Sequence, residues 1–81
     1  MGFRLRSMPK KLHNWKFKNV EYFLRDNGFV LHHTNGSHYY YIGNTQHLVC
    51  VPYHGSVTIK TRTMKGIIAQ SGIAQKDWLK D

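Results

Sequence analysis

Eighty-one residues with 12 Lys+Arg against four Asp+Glu leave a net charge of +8, and 41% of the chain is hydrophobic. That balance describes one globular domain near the lower size limit for unaided folding, and it excludes a disordered chain. No apolar run can span a bilayer, no apolar h-region follows the basic start, and the single cysteine, Cys50, cannot form an internal disulfide. These absences predict a cytoplasmic protein with no membrane partner.

Residues 1–14 read as a basic arm, extended or poorly ordered, carrying Arg4, Arg6, Lys10 and Lys11, and residues 15–81 as a single domain. Helix signals begin near Phe17. Val20, Phe23, Leu24 and Asn27 follow at i, i+3, i+4 and i+7, the stripe of an amphipathic helix. Phe17 and Tyr22 have the spacing of a hydrophobic staple, and Glu21 is expected to bond back to a first-turn amide. Gly28 suits the left-handed position that closes the helix.

Phe29 to His33 then reads as a strand, with His32 and His33 on opposite faces. Asn35-Gly36 is a hairpin signal. Ser37 to Ile42 is rich in aromatic residues and forms the second strand. Gly43-Asn44 marks another turn, and His47 to Val51 forms the third strand, stopped by Pro52. After the loop Tyr53-His54-Gly55-Ser56, a helix is predicted from Thr61 to Ser71, with Met64, Ile67, Ile68 and Ser71 on one face and Gly72 at its end. Gly66 inside it costs about 1 kcal/mol relative to alanine, and close packing is the expected reason. A short last helix, Gln75 to Lys80, would tuck Trp78 and Leu79 against the core.

The order helix, three strands, helix predicts an α+β fold: a three-stranded antiparallel meander with helices on one face. The pattern leaves one matter open. Tyr39 and Tyr41 share one face of the second strand, while His38, Tyr40 and Ile42 share the other, and both sets are apolar enough to be core.

His38 is the first candidate for chemistry. Histidine can exchange protons near neutral pH, and Gly36 and Ser37 just before it would let a phosphate backbone approach closely. His54, after the third strand, comes within reach if the meander pairs as drawn. Two imidazoles can serve as base and acid in RNA cleavage, one taking the 2′-hydroxyl proton and the other protonating the departing 5′-oxygen. No Cys-x-x-Cys or His-x-x-x-His spacing is present, so no metal site and no cofactor are expected. The scarce carboxylates Glu21, Asp26, Asp77 and Asp81 include no pair suited to glycosidase or two-metal chemistry. Lys60, Arg62 and Lys65 cluster at the start of the second long helix, where free amides also favour phosphate. With Lys10 and Lys11 they form a candidate RNA track. The excess of basic residues fits nucleic acid better than a membrane surface, because it is not gathered on one amphipathic helix.

Taken together, Asn27-Gly28-Phe29, Gly36-Ser37-His38, Val49-x-Val51-Pro52-x-His54 and Thr63-Met64-x-x-Ile67-Ile68-x-Gln70-Ser71-Gly72-Ile73 resemble the HicA family of mRNA interferase toxins, over residues 17–80. The resemblance implies a double-stranded-RNA-binding-domain-like α-β-β-β-α sandwich. It implies metal-independent cleavage of mRNA that arrests translation, and a HicB-type antitoxin that blocks the active site. The family's catalytic histidine falls on His38, and the histidine after the Val-Pro element falls on His54. The chain departs from the pattern at Ala74, where the family has a capping serine, and in the arm. A non-catalytic RNA-binding module of the same fold is the alternative. His38 argues against it, since such a module needs Lys or Arg there.

Overall fold

The computed structural model describes residues 8–79; Arg4 and Arg6 of the basic arm, Lys80 at the end of the expected last helix, and Asp81 lie outside the described residues. The elements are α1 (Phe17–Asp26), β1 (Val30–Asn35), β2 (His38–Ile42), β3 (Leu48–Pro52), α2 (Thr61–Ser71) and α3 (Gln75–Trp78). The sheet has the order β1-β2-β3 with both pairs antiparallel, so the fold is α+β with β2 in the centre. No helix among the described residues is long and apolar enough to cross a membrane.

Val20, Phe23 and Leu24 face the core as their spacing requires, and Gly28 closes α1 with φ +86. Asn27 is exposed instead of buried, and its side-chain amide donates to the Phe23 carbonyl at 2.8 Å. The first turn is closed by Asn19, not Glu21: Asn19 Oδ1 accepts from the Lys16 N–H at 2.9 Å. Glu21 lies too far along the helix to reach back. Its carboxylate accepts from the Tyr41 hydroxyl at 2.6 Å and pairs with Arg25 at 3.5 Å. Phe17 is the first helical residue, not the one before the cap, and its ring packs edge-on against Tyr39 and Tyr53.

The β1–β2 hairpin turns one residue later than its Asn-Gly signal suggests. Asn35 pairs with His38, so the two loop residues are Gly36 and Ser37. Only Gly36 has positive φ, at +61, the pattern of a type II′ turn with glycine first. Between β2 and β3 the positive φ falls on Gln46, at +67. Gly43 serves packing there, because a Cβ would stand 2.8 Å from the Phe29 ring.

The sheet register decides which face is buried. Tyr41 pairs with Val49 and Tyr39 with Val51, and Tyr41, Val49 and Val51 are fully buried under α1 and α2. The opposite face carries the rows Val30–Ile42–Leu48, His33–Tyr40–Cys50 and Asn35–His38–Pro52. In β1 the register shifts between Leu31 and His33, leaving His32 in a bulge. The expectation that His32 and His33 diverge is therefore corrected. Their Nδ1 atoms lie 2.7 Å apart, because the extra residue breaks the strict alternation of side chains.

Two tryptophans fix the far side of the core. Trp78 stacks on Phe23 with ring centroids 4.0 Å apart, and Trp15 meets Trp78 edge-on at 5.5 Å. A helix as short as α3 has no stability of its own. Trp78 anchors it, and its indole N–H donates to Ser71 Oγ at 3.2 Å, while Ser71 Oγ donates to the Ile68 carbonyl at 2.7 Å. The helix ends at Trp78, short of the expected Lys80. Met8 and Leu12 pack against this core, and the Trp15 indole donates to the Lys11 carbonyl at 2.9 Å. The Ile59 N–H donates to the Trp15 carbonyl at 2.7 Å, fastening the chain before α1 to the loop before α2. Gly66 is exposed and a Cβ there would meet no atom within 4 Å, so close packing does not explain it.

Candidate active site

The II′ turn hands the chain directly to His38, the exposed first residue of β2. A Cβ at Gly36 would meet nothing within 4 Å, so the space over the turn is open. The Tyr53 N–H donates to the Ser37 carbonyl at 2.7 Å, carrying the β2–β3 ladder one step past Pro52. That bond sets where the chain leaves the sheet, one residue before His54. Gly55, with φ +62, then turns the loop, and the Val57 N–H donates to the His54 carbonyl at 3.1 Å.

A groove of about 510 Å³ lies where β3 meets this loop and α2. His38 and His54 both line it. Cys50 and Pro52 of β3 contribute part of its lining, and Lys60 with Thr63 and Gln70 of α2 contribute another part. The edge of β3 is suited to this position. Pro52 has no N–H to leave unpaired, and the outward N–H of Cys50 is taken by Gln70 Oε1 at 2.9 Å. This bond joins α2 to the strand edge across the groove.

α2 begins at Thr61, and its cap residue Lys60 makes no side-chain capping bond. The first amides of the helix thus lie beside the groove with a lysine at the same point, an arrangement that attracts anions. No carboxylate is among the described residues lining the groove. Tyr40, next to His38 on the open face, has its phenol pushed up, first by the Cys50 thiol of its cross-strand partner. Tyr41 on the buried face is also pushed up, first by burial and then by the Glu21 carboxylate.

The structure thus brings His38, His54 and Lys60 to one groove, with Gly36 and Ser37 at the turn before His38. Arg62 and Lys65 are exposed on α2 but do not line the groove. Lys10 and Lys11 line a separate depression with His13 and Lys16. Among the described residues no three His, Cys, Asp or Glu side chains converge as a metal-ligand set.

Sequence reasoning missed Cys50, Thr63 and Gln70 as groove residues. Thr63 and Gln70 are seven apart and so share a helix face. Cys50 is opposite Tyr40 in the register and so shares the His38 face. Both signals were present, but they become usable only once the buried parity of β2 is known.

A family model described as HicA toxin of bacterial toxin–antitoxin matches residues 17–73, from the first residue of α1 to just past α2. No curated protein matches the chain.

Proposed function

Because the chain belongs to the HicA toxin family of toxin–antitoxin systems, we propose that it is a metal-independent endoribonuclease that cleaves mRNA in the His38 groove and is neutralised by a HicB-type antitoxin. The observation that carries this reading is the presence of two imidazoles, His38 and His54, on one groove beside a helix start bearing Lys60. A phosphodiester in the groove would have its anionic oxygens near the α2 amides and Lys60. One imidazole takes the proton of the ribose 2′-hydroxyl, and the 2′-oxygen attacks the adjacent phosphorus. The bond from phosphorus to the 5′-oxygen breaks, and the other imidazole, protonated, gives its proton to that leaving oxygen. The products are a 2′,3′-cyclic phosphate and a 5′-hydroxyl, and the two imidazoles have exchanged protonation states.

The exposed position of His38 makes its removal a clean test. His38→Ala should keep its fold by circular dichroism and lose about 10²–10⁴-fold in cleavage rate, and its induction should no longer arrest growth. Cleavage by the wild type should persist in excess EDTA and leave cyclic-phosphate or 3′-phosphate ends. A folded His38→Ala protein that cuts RNA at the wild-type rate would remove His38 from the mechanism. A wild type that binds RNA without cutting it would leave a binding module.

A further inference from the structure

The His32-His33 pair has no part in the proposed chemistry, yet the fold holds it in a defined arrangement. The bulge brings the two rings together, Nδ1 to Nδ1 at 2.7 Å, so one nitrogen donates and the other accepts. Their centroids are 4.9 Å apart and their planes 76° from parallel, so His32 meets the edge of His33 and leaves its flat faces free. One of those faces lies on the Tyr40 ring, with centroids 4.3 Å apart and planes within 4°. A stack of two rings is therefore held at its His33 end by His32, and His33 within it is exposed to solvent.

Its position matters as much as its order. The row His33–Tyr40–Cys50 is next to the row Asn35–His38–Pro52 on the same open face. Diagonal neighbours across an antiparallel pair are about 7–8 Å apart, which is the relation between His33 and His38. Bulges recur beside active sites, where they re-aim a side chain.

We propose that the His33–Tyr40 stack is a nucleobase subsite, which takes an unpaired base of the same RNA strand whose phosphate lies at His38. The inference rests on the RNA-cleaving reading above. Unpaired bases are commonly held by stacking on Tyr, His, Phe or Trp rings. A chain of net charge +8 draws in the backbone, and a pre-ordered ring stack then adds contact with little further loss of side-chain freedom. Every base has a π-face, so this subsite adds affinity and orientation with little choice of sequence.

The test is binding of a short single-stranded 2′-O-methyl oligonucleotide to the full chain, read by fluorescence anisotropy. The methylated 2′-oxygen has no proton to give, so the proposed reaction cannot cut it. The same backbone carrying abasic residues is the comparison. His33→Ala and Tyr40→Leu should each weaken binding of the base-bearing strand about five- to a hundred-fold, and Tyr40→Phe should bind like wild type. All four proteins should bind the abasic strand alike, and Tyr40→Leu should keep the wild-type salt slope. His33 is exposed, so its variant carries the test even if Tyr40→Leu does not fold. Unchanged affinity in the folded variants, or an equal loss on the abasic strand, would overturn the subsite. A wild type that neither binds nor cuts RNA would overturn the nuclease reading as well, whereas a cutting wild type with full-affinity variants would overturn the stack alone.

Discussion

Replacing Gly66 by alanine should stabilise this protein. Gly66 lies inside α2, and a Cβ there would meet no atom within 4 Å. Its φ is not in the left-handed region, so alanine enters without backbone strain. The substitution therefore has no clash to set against the helix-propensity gain of about 0.8–1.0 kcal/mol. In a domain of this size a gain of about 1 kcal/mol raises the melting midpoint by roughly 4–8 °C, which a thermal melt followed by circular dichroism resolves. The same position tests the groove. Thr63, Gly66 and Gln70 are spaced i, i+3 and i+7 along α2, and Thr63 and Gln70 line the groove. If RNA passes along that wall, the added methyl should lower cleavage while stability rises, a trade of activity against stability. A melting midpoint at or below that of the wild type would refute the reasoning, because it would mean that the space over Gly66 is not open.

A Lys60→Ala, Arg62→Ala and Lys65→Ala triple variant should bind single-stranded RNA more weakly. The slope of log affinity against log salt should fall by roughly 0.7 for each phosphate the variant no longer neutralises; an unchanged slope would place the track elsewhere, with Lys10 and Lys11 the next to test. A cognate antitoxin should bring carboxylates onto the His38 groove, associate fastest at low salt and abolish cleavage. Hydrogen exchange in the complex should then show protection at residues 37–40, and protection confined to the region of Trp78 would speak against inhibition by covering the site. Tyr41 should give an alkaline signature. Its folded phenol is pushed up by burial and Glu21, so its contribution is complete below the ordinary phenol pKa near 10 and is lost as pH rises through the folded value. The stability of Tyr41→Phe should accordingly fall less steeply above pH 10, and equal slopes for variant and wild type would contradict that linkage.

The α+β order, the face of α2 and the closing roles of Gly28 and Gly72 follow from local pattern. A helix spacing or a left-handed terminal position depends on residues a few places apart, so it can be read without a partner. His38 at a strand start after a Gly-Ser step was legible for the same reason, and so was the family resemblance. What the sequence left open depends on contacts between distant segments. Burial of Tyr41 in place of Tyr40 depends on Val49 and Val51 pairing beside Tyr41 and Tyr39, and on Glu21 accepting the Tyr41 hydroxyl from twenty residues away. Both strand faces are apolar, so only the register across the sheet could choose between them. The groove likewise exists only once Gln70 is bonded to the edge of β3 and the loop through His54 is folded over it. The bulge at His32 has no local marker. It arises from how β1 must register on β2, and that register turns two histidines expected to point apart into a hydrogen-bonded pair beside Tyr40.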